Sequence, residues 1–148
     1  IYTQEIKVKI KYGHCDKCIS IKQKKITAII QLRVVLYEQM ELIEIVKEKI
    51  INYIDQISKN APTEYISKIE YIKNGIDIFL STHHQINKII RLLKSEYNFL
   101  LKTSKKQIGR NIQRGKNIFR INILIKFLPI EKEDKVIIGN SLFQVYKI

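Results

Sequence analysis

Two stretches of this chain hold residues whose types and spacing could do chemistry. The first, Gly13-His14-Cys15-Asp16-Lys17-Cys18, contains both cysteines. A tight turn there would point both sulfurs at one metal, so Cys15 and Cys18 qualify as half of a tetrahedral zinc site. The missing ligands would come from residues preceding Ile1, or from His14 with a distant group such as His83 or His84. A redox pair shares the spacing, but such a pair usually opens a helix, whose dipole lowers a thiol pKa, and the flanks here read as strands. Bystander cysteines are the third reading.

The second stretch is cationic. Lys102, Lys105, Lys106, Arg110, Arg114, Lys116, Arg120 and Lys126 stand in a segment without an acid, and residues 108–116 read as a basic loop with two glycines at a hairpin tip. Long cations on such a tip can reach phosphates in a folded RNA, and Gly109 and Gly115 let the backbone approach closely. A solvated edge kept soluble by lysine is the rival. The arginines concentrate at the tip and the opposite sign is missing, which favours RNA.

No catalytic constellation accompanies these stretches. His83-His84 has no nearby nucleophile, no glycine-rich phosphate loop occurs, and Asp77, lacking a second carboxylate close in sequence, reads as a turn or cap residue. Tyr37, Tyr53, Phe79, Phe119 and Phe127 fall on apolar faces and read as core rather than base-stacking platforms. The expectation is a binding module and not an enzyme. Two rivals are a zinc- or thiol-dependent enzyme acting on RNA through the cysteine pair, and an interaction module for an acidic protein.

The elements that must position these residues come from a chain of 148 residues, rich in isoleucine, with 5 glycines and 2 prolines. That is material for one folded domain with something extra at an end. The amino end lacks the apolar core and cleavage site of a signal peptide, which points to an intracellular, reducing compartment, and the longest apolar run is too short for a bilayer. The formal charge of +13 is unevenly spread: residues 37–77 are net acidic, whereas residues 78–126 carry eleven Lys/Arg and one acid. Such polarity favours a polyanionic partner.

Periodicity orders the elements. Residues 4–12 alternate Ile6, Val8, Ile10 and Tyr12 with Lys7, Lys9 and Lys11, predicting a strand; residues 25–36 predict another, so that the cysteines would occupy a hairpin tip. A helix is predicted over 37–60, with Ile43, Val46, Ile50, Ile54 and Ile57 inward. Strands over 65–73 and 76–80 flank Asn74-Gly75, a tight-turn dipeptide. Ser81 or Thr82 would cap a helix over 83–97, and strands over 98–107 and 117–127 flank the basic loop. After a charged linker come strands near 136–139 and 142–146. The expected fold class is α+β: a mixed or antiparallel sheet with two helices on one face, preceded by a β-hairpin with a CxxC knuckle and followed by the start of a small β-barrel.

Several blocks together resemble one family. Cys15-Asp16-Lys17-Cys18 followed by Thr27-Ala28-Ile29-Ile30-Gln31-Leu32-Arg33 resembles the Nmd-three family, in which Cys-x-x-Cys precedes an Ala-x-x-Gln-hydrophobic-Arg strand. Asn74-Gly75-Ile76-Asp77-Ile78-Phe79-Leu80-Ser81 is similar to its Gly-Leu-Asp-Phe-Tyr block, residues 86–93 to the helix that follows, and residues 108–120 to its basic hairpin. Pro129-Ile130-Glu131-Lys132-Glu133-Asp134-Lys135-Val136 is similar to its proline-initiated acidic linker.

The family comprises export adaptors and assembly factors of the large ribosomal subunit in eukaryotes, and their archaeal relatives. The resemblance implies the end of a zinc-binding region over 1–36, a ribosomal-protein-like α/β docking domain over 37–128, and a linker with the first strands of a barrel over 129–148. It supports a zinc half-site at Cys15 and Cys18, while the charge pattern assigns RNA binding to Lys102, Lys105, Lys106, Arg110, Arg114, Lys116 and Arg120. The expected protein is a monomer without a small-molecule substrate or membrane partner. It docks on the RNA and proteins of the large subunit during late assembly in the cytoplasm, with a nuclear stage and export if the source is eukaryotic.

Overall fold

A computed structural model describes residues 3–23 and 25–146. Its centre is a five-stranded mixed sheet in the order β2-β3-β1-β5-β4, formed by β1 (Ala28–Val34), β2 (Ile66–Ile72), β3 (Gly75–Leu80), β4 (Phe99–Asn111) and β5 (Lys116–Phe127). The central strand β1 runs antiparallel to β3 and parallel to β5, and an antiparallel hairpin lies on either side of it. Helix α2 (Met40–Ser58), entered through a 3-10 turn at Tyr37–Gln39, links β1 to β2; α3 (Ile86–Lys94) links β3 to β4.

Both helices cover the same face. Ala28, Ile30, Leu32 and Val34 of β1 alternate inward and lie level with Ile76, Ile78 and Leu80 on one side and Ile123, Ile125 and Phe127 on the other. Against them pack Ile43, Val46, Ile50 and Ile54 of α2 and Ile86, Ile89 and Leu93 of α3, one apolar cluster that accounts for the helical and period-two patterns together. The opposite face carries no helix of this pair. It presents Ile29, Gln31 and Arg33 of β1, Asp77 of β3, and Asn122 and Leu124 of β5.

Several local expectations are corrected by long-range contacts. The turn between β2 and β3 falls on Lys73 and Asn74, and Gly75 opens β3 opposite Ile72. Glycine is required there because a Cβ would lie 1.9 Å from the Leu32 carbonyl oxygen of the neighbouring strand. Ser81 caps no helix: α3 begins at Ile86 behind Gln85. Fully buried, Ser81 instead accepts from the Tyr65 N–H at 2.9 Å and donates to the Thr63 carbonyl at 2.7 Å, fastening the entry of β2 to the exit of β3. Nor is Asp77 a turn or cap residue; it lies within β3 and pairs with Arg33 at 2.6 Å.

The amino-terminal expectation also changes. Residues 3–15 form no strand, and Ile6, Val8, Ile10 and Tyr12 are exposed. The cysteines are at no hairpin tip: Cys15 is the N-cap of a short helix, α1 (Asp16–Lys22), and Cys18 lies in its first turn. Alternation specifies which face of a strand could be buried, and among the described residues no strand pairs with this segment.

At the other end, β6 (Lys135–Ile138) and β7 (Ser141–Gln144) pair with each other in a separate two-stranded sheet, and no barrel closes among the described residues. Among the described residues no helix is long and apolar enough to cross a membrane.

Candidate nucleic-acid interface

The seven residues expected to bind RNA all lie on the β4–β5 hairpin. Lys102, Lys105, Lys106 and Arg110 belong to β4, Arg114 to the turn, and Lys116 and Arg120 to β5. Most of the anticipated basic loop is therefore strand, with only residues 112–115 left to turn. Pairing between β5 and β1 begins at Ile121, opposite Ala28. Residues 116–120 and their partners in β4 consequently run past the sheet as a two-stranded ribbon.

Strand alternation distributes the cations over both surfaces of this ribbon. Lys102, Lys106, Lys116 and Arg120 occupy register positions on the face away from the helices, opposite Leu124, Arg120, Asn111 and Lys106 respectively. Lys105 and Arg110, opposite Ile121 and Asn117, occupy the other face. The register slips between Gln107 and Gly109, a bulge that inserts Ile108 and keeps Arg110 on the second face; without it, residue parity would send Arg110 to the first.

Six of the seven side chains are exposed, and none forms an ion pair with a carboxylate among the described residues. Arg120 is the exception in burial: its Nε donates to the Ile26 carbonyl at 3.4 Å, tying the base of the ribbon to the segment entering β1. The acids that form ion pairs among the described residues do so away from the ribbon. Glu44 and Glu48 hold Lys47 on α2, and Glu96 holds Lys49. The carboxylate of Glu44 and then the Tyr71 hydroxyl keep the Lys47 ammonium charged well above the usual lysine range. The ribbon thus retains an uncompensated positive field, which a phosphate backbone complements.

Exposed apolar side chains share the ribbon. Ile108, Ile112, Ile118 and Phe119 are all exposed. Phe119, expected in the core, projects beyond the last strand that could cover it, whereas Phe127 is fully buried and Phe79 nearly so, with the Lys68 ammonium 4.2 Å above its ring. Tyr37 is exposed in the 3-10 turn, while Tyr53 is partly buried against the core.

Cys15 and Cys18 lie far along the chain from this interface, with their sulfurs 3.3 Å apart. A structural zinc takes four donors, and among the described residues no group of three or more His, Cys, Asp or Glu side chains gathers around a common point.

A family model described as "NMD3, second domain" matches residues 25–127. The chain belongs to the NMD3 family. No curated protein matches it significantly. The NMD3 match begins just ahead of β1 and ends on the last residue of β5, so the family domain is the five-stranded sheet with α2 and α3, ribbon included. It leaves out α1 with its cysteines, and also β6 and β7. Membership in NMD3 places the protein in the setting of ribosome biogenesis.

Proposed function

We propose that this NMD3-family domain is a non-enzymatic docking module for the large ribosomal subunit, and that it engages subunit RNA through the cationic β4–β5 ribbon. The reading rests on one observation above all: a β4–β5 hairpin with cations on both faces, six of them exposed and none paired to an acid among the described residues. A ribbon of this kind neutralises phosphates on two sides at once, so it suits a cleft between RNA segments better than the outside of a single helix. Bound there, the domain acts by occupancy, holding part of the subunit surface unavailable until it is released. We place this action in late assembly in the cytoplasm, and in the nucleus as well where the source is eukaryotic, with the protein acting as a monomer.

Co-sedimentation with purified large subunits across a salt series tests the proposal. Contact with about six phosphates predicts a loss of roughly three decades in affinity between low and physiological salt. Binding that is absent at low salt, or indifferent to salt, rejects it. Competition with free ribosomal RNA distinguishes an RNA contact from an acidic protein surface, since only the former is displaced by RNA in proportion to its affinity.

A further inference from the structure

The tip of the ribbon carries a side chain that phosphate binding does not use. Ile112 is 91 % exposed at the first position of the turn joining β4 to β5. The turn is defined by its own contacts: the Arg114 N–H donates to Asn111 Oδ1 at 3.1 Å, and Gly115 takes a left-handed φ of 62°. Arg110, Arg114 and Lys116 surround this isoleucine in sequence, and Ile118 and Phe119 continue exposed apolar surface back along the ribbon.

An isoleucine at this point is mismatched to a regular RNA duplex, which presents phosphates on its outside and polar edges with hydroxyls in its grooves. Its chemical complement is the face of a base, and base faces are open where stacking is interrupted at a bulge, a loop or a strand end. An apolar wedge flanked by cations fits such a gap, because the cations hold the phosphates on either side while the wedge replaces lost stacking. Resting on the RNA-docking reading above, we propose that Ile112 is a wedge inserted against exposed base faces at a helical discontinuity. The ribbon therefore selects bulged or looped RNA over uninterrupted duplex.

The test uses the full chain and two short RNA hairpins that differ by one bulged nucleotide, with a fluorescent adenine analogue placed beside the bulge. The unaltered protein is expected to bind the bulged hairpin about tenfold more tightly than the paired one, within the range of a single base contact. Ile112→Ala should remove that preference without changing the salt dependence, while Ile112→Leu retains it. The analogue's fluorescence should respond to the unaltered protein and to Ile112→Leu, but not to Ile112→Ala. Equal affinity of the unaltered protein for the two hairpins, or full preference in Ile112→Ala, overturns the wedge and leaves RNA docking standing. If Ile112→Ala loses large subunits yet binds both hairpins normally, the tip contacts protein and the wedge is again overturned. A combined Arg110→Glu, Arg114→Glu and Lys116→Glu variant that binds both hairpins undiminished overturns the docking reading, and the wedge with it.

Discussion

Arg33 of β1 and Asp77 of β3 meet at 2.6 Å on the sheet face away from the helices, and their contact joins two of the blocks that carry the family resemblance. Gln31 Nε2 donates to the other carboxylate oxygen of Asp77 at 3.4 Å, and Arg33 Nη1 donates to the carbonyls of Leu32 at 2.9 Å and Ile76 at 3.2 Å. Gly75, from the same block as Asp77, lies against the Leu32 carbonyl. Residues that carry the family resemblance in the sequence are thereby accounted for as the joint between the central strand and its neighbour.

Removing one member of this joint should cost more than removing both. Arg33 and Asp77 side chains retain only 19 % and 17 % of their exposure, so Asp77→Asn leaves a mostly buried guanidinium without its counter-charge. A loss of about 1–3 kcal/mol is expected in urea unfolding with an unchanged slope. The combined Arg33→Met and Asp77→Leu variant should be less destabilised than the two single changes added together, a coupling that a double-mutant cycle reads directly.

Gly75→Ala tests the close approach of β3 to β1. Its Cβ would stand 1.9 Å from backbone, which no side-chain rotation relieves, so the strands must separate. Destabilisation on the order of 3 kcal/mol or more is expected by chemical denaturation, against a fraction of that for glycine-to-alanine at the open position Gly109, which meets nothing within 4 Å.

Charge changes on the ribbon should separate binding from folding. Arg110→Glu, Arg114→Glu and Lys116→Glu together should weaken large-subunit binding and flatten its salt dependence, by about one phosphate equivalent for each lost contact. The far-UV spectrum and unfolding midpoint should stay unchanged, because all three side chains are exposed. Undiminished binding would shift the contact to another cationic segment, such as Lys7, Lys9 and Lys11.

The two faces of the ribbon can be tested apart. Lys102→Ala with Lys106→Ala removes two of the four cations on one face, and Lys105→Ala with Arg110→Ala removes both on the other. A ribbon inserted between RNA segments loses affinity by similar factors in both variants. A ribbon lying flat on one helix loses it in only one, which subunit co-sedimentation at fixed salt would reveal.

Exchange of both cysteines, Cys15→Ser with Cys18→Ser, bears on the rival reading of a thiol-centred enzyme. Both residues are exposed and lie outside the segment matched to NMD3, so subunit binding and the unfolding midpoint should be retained. Loss of binding would make the cysteine segment part of the interface.

The sequence alone determined those features whose cause is local. Isoleucines at helical spacing specified α2, alternation specified β1 and β5, and the run of cations without acids marked the hairpin, because side-chain periodicity and charge need no distant partner to be read. Tertiary structure decided whatever depends on a neighbour. The alternation over residues 4–12 names a face but cannot create an edge to pair with, and those residues form no strand. Asp77, Gly75 and Ser81 owe their roles to Arg33, the Leu32 carbonyl and the Tyr65 and Thr63 backbone, groups at least 16 residues away in the chain. The ribbon itself exists because β1 begins only at Ala28 while β4 and β5 extend beyond that level, a difference in strand length visible only once the three strands are laid side by side. That overhang leaves the cations and Ile112 standing clear of the core, where a partner can reach them.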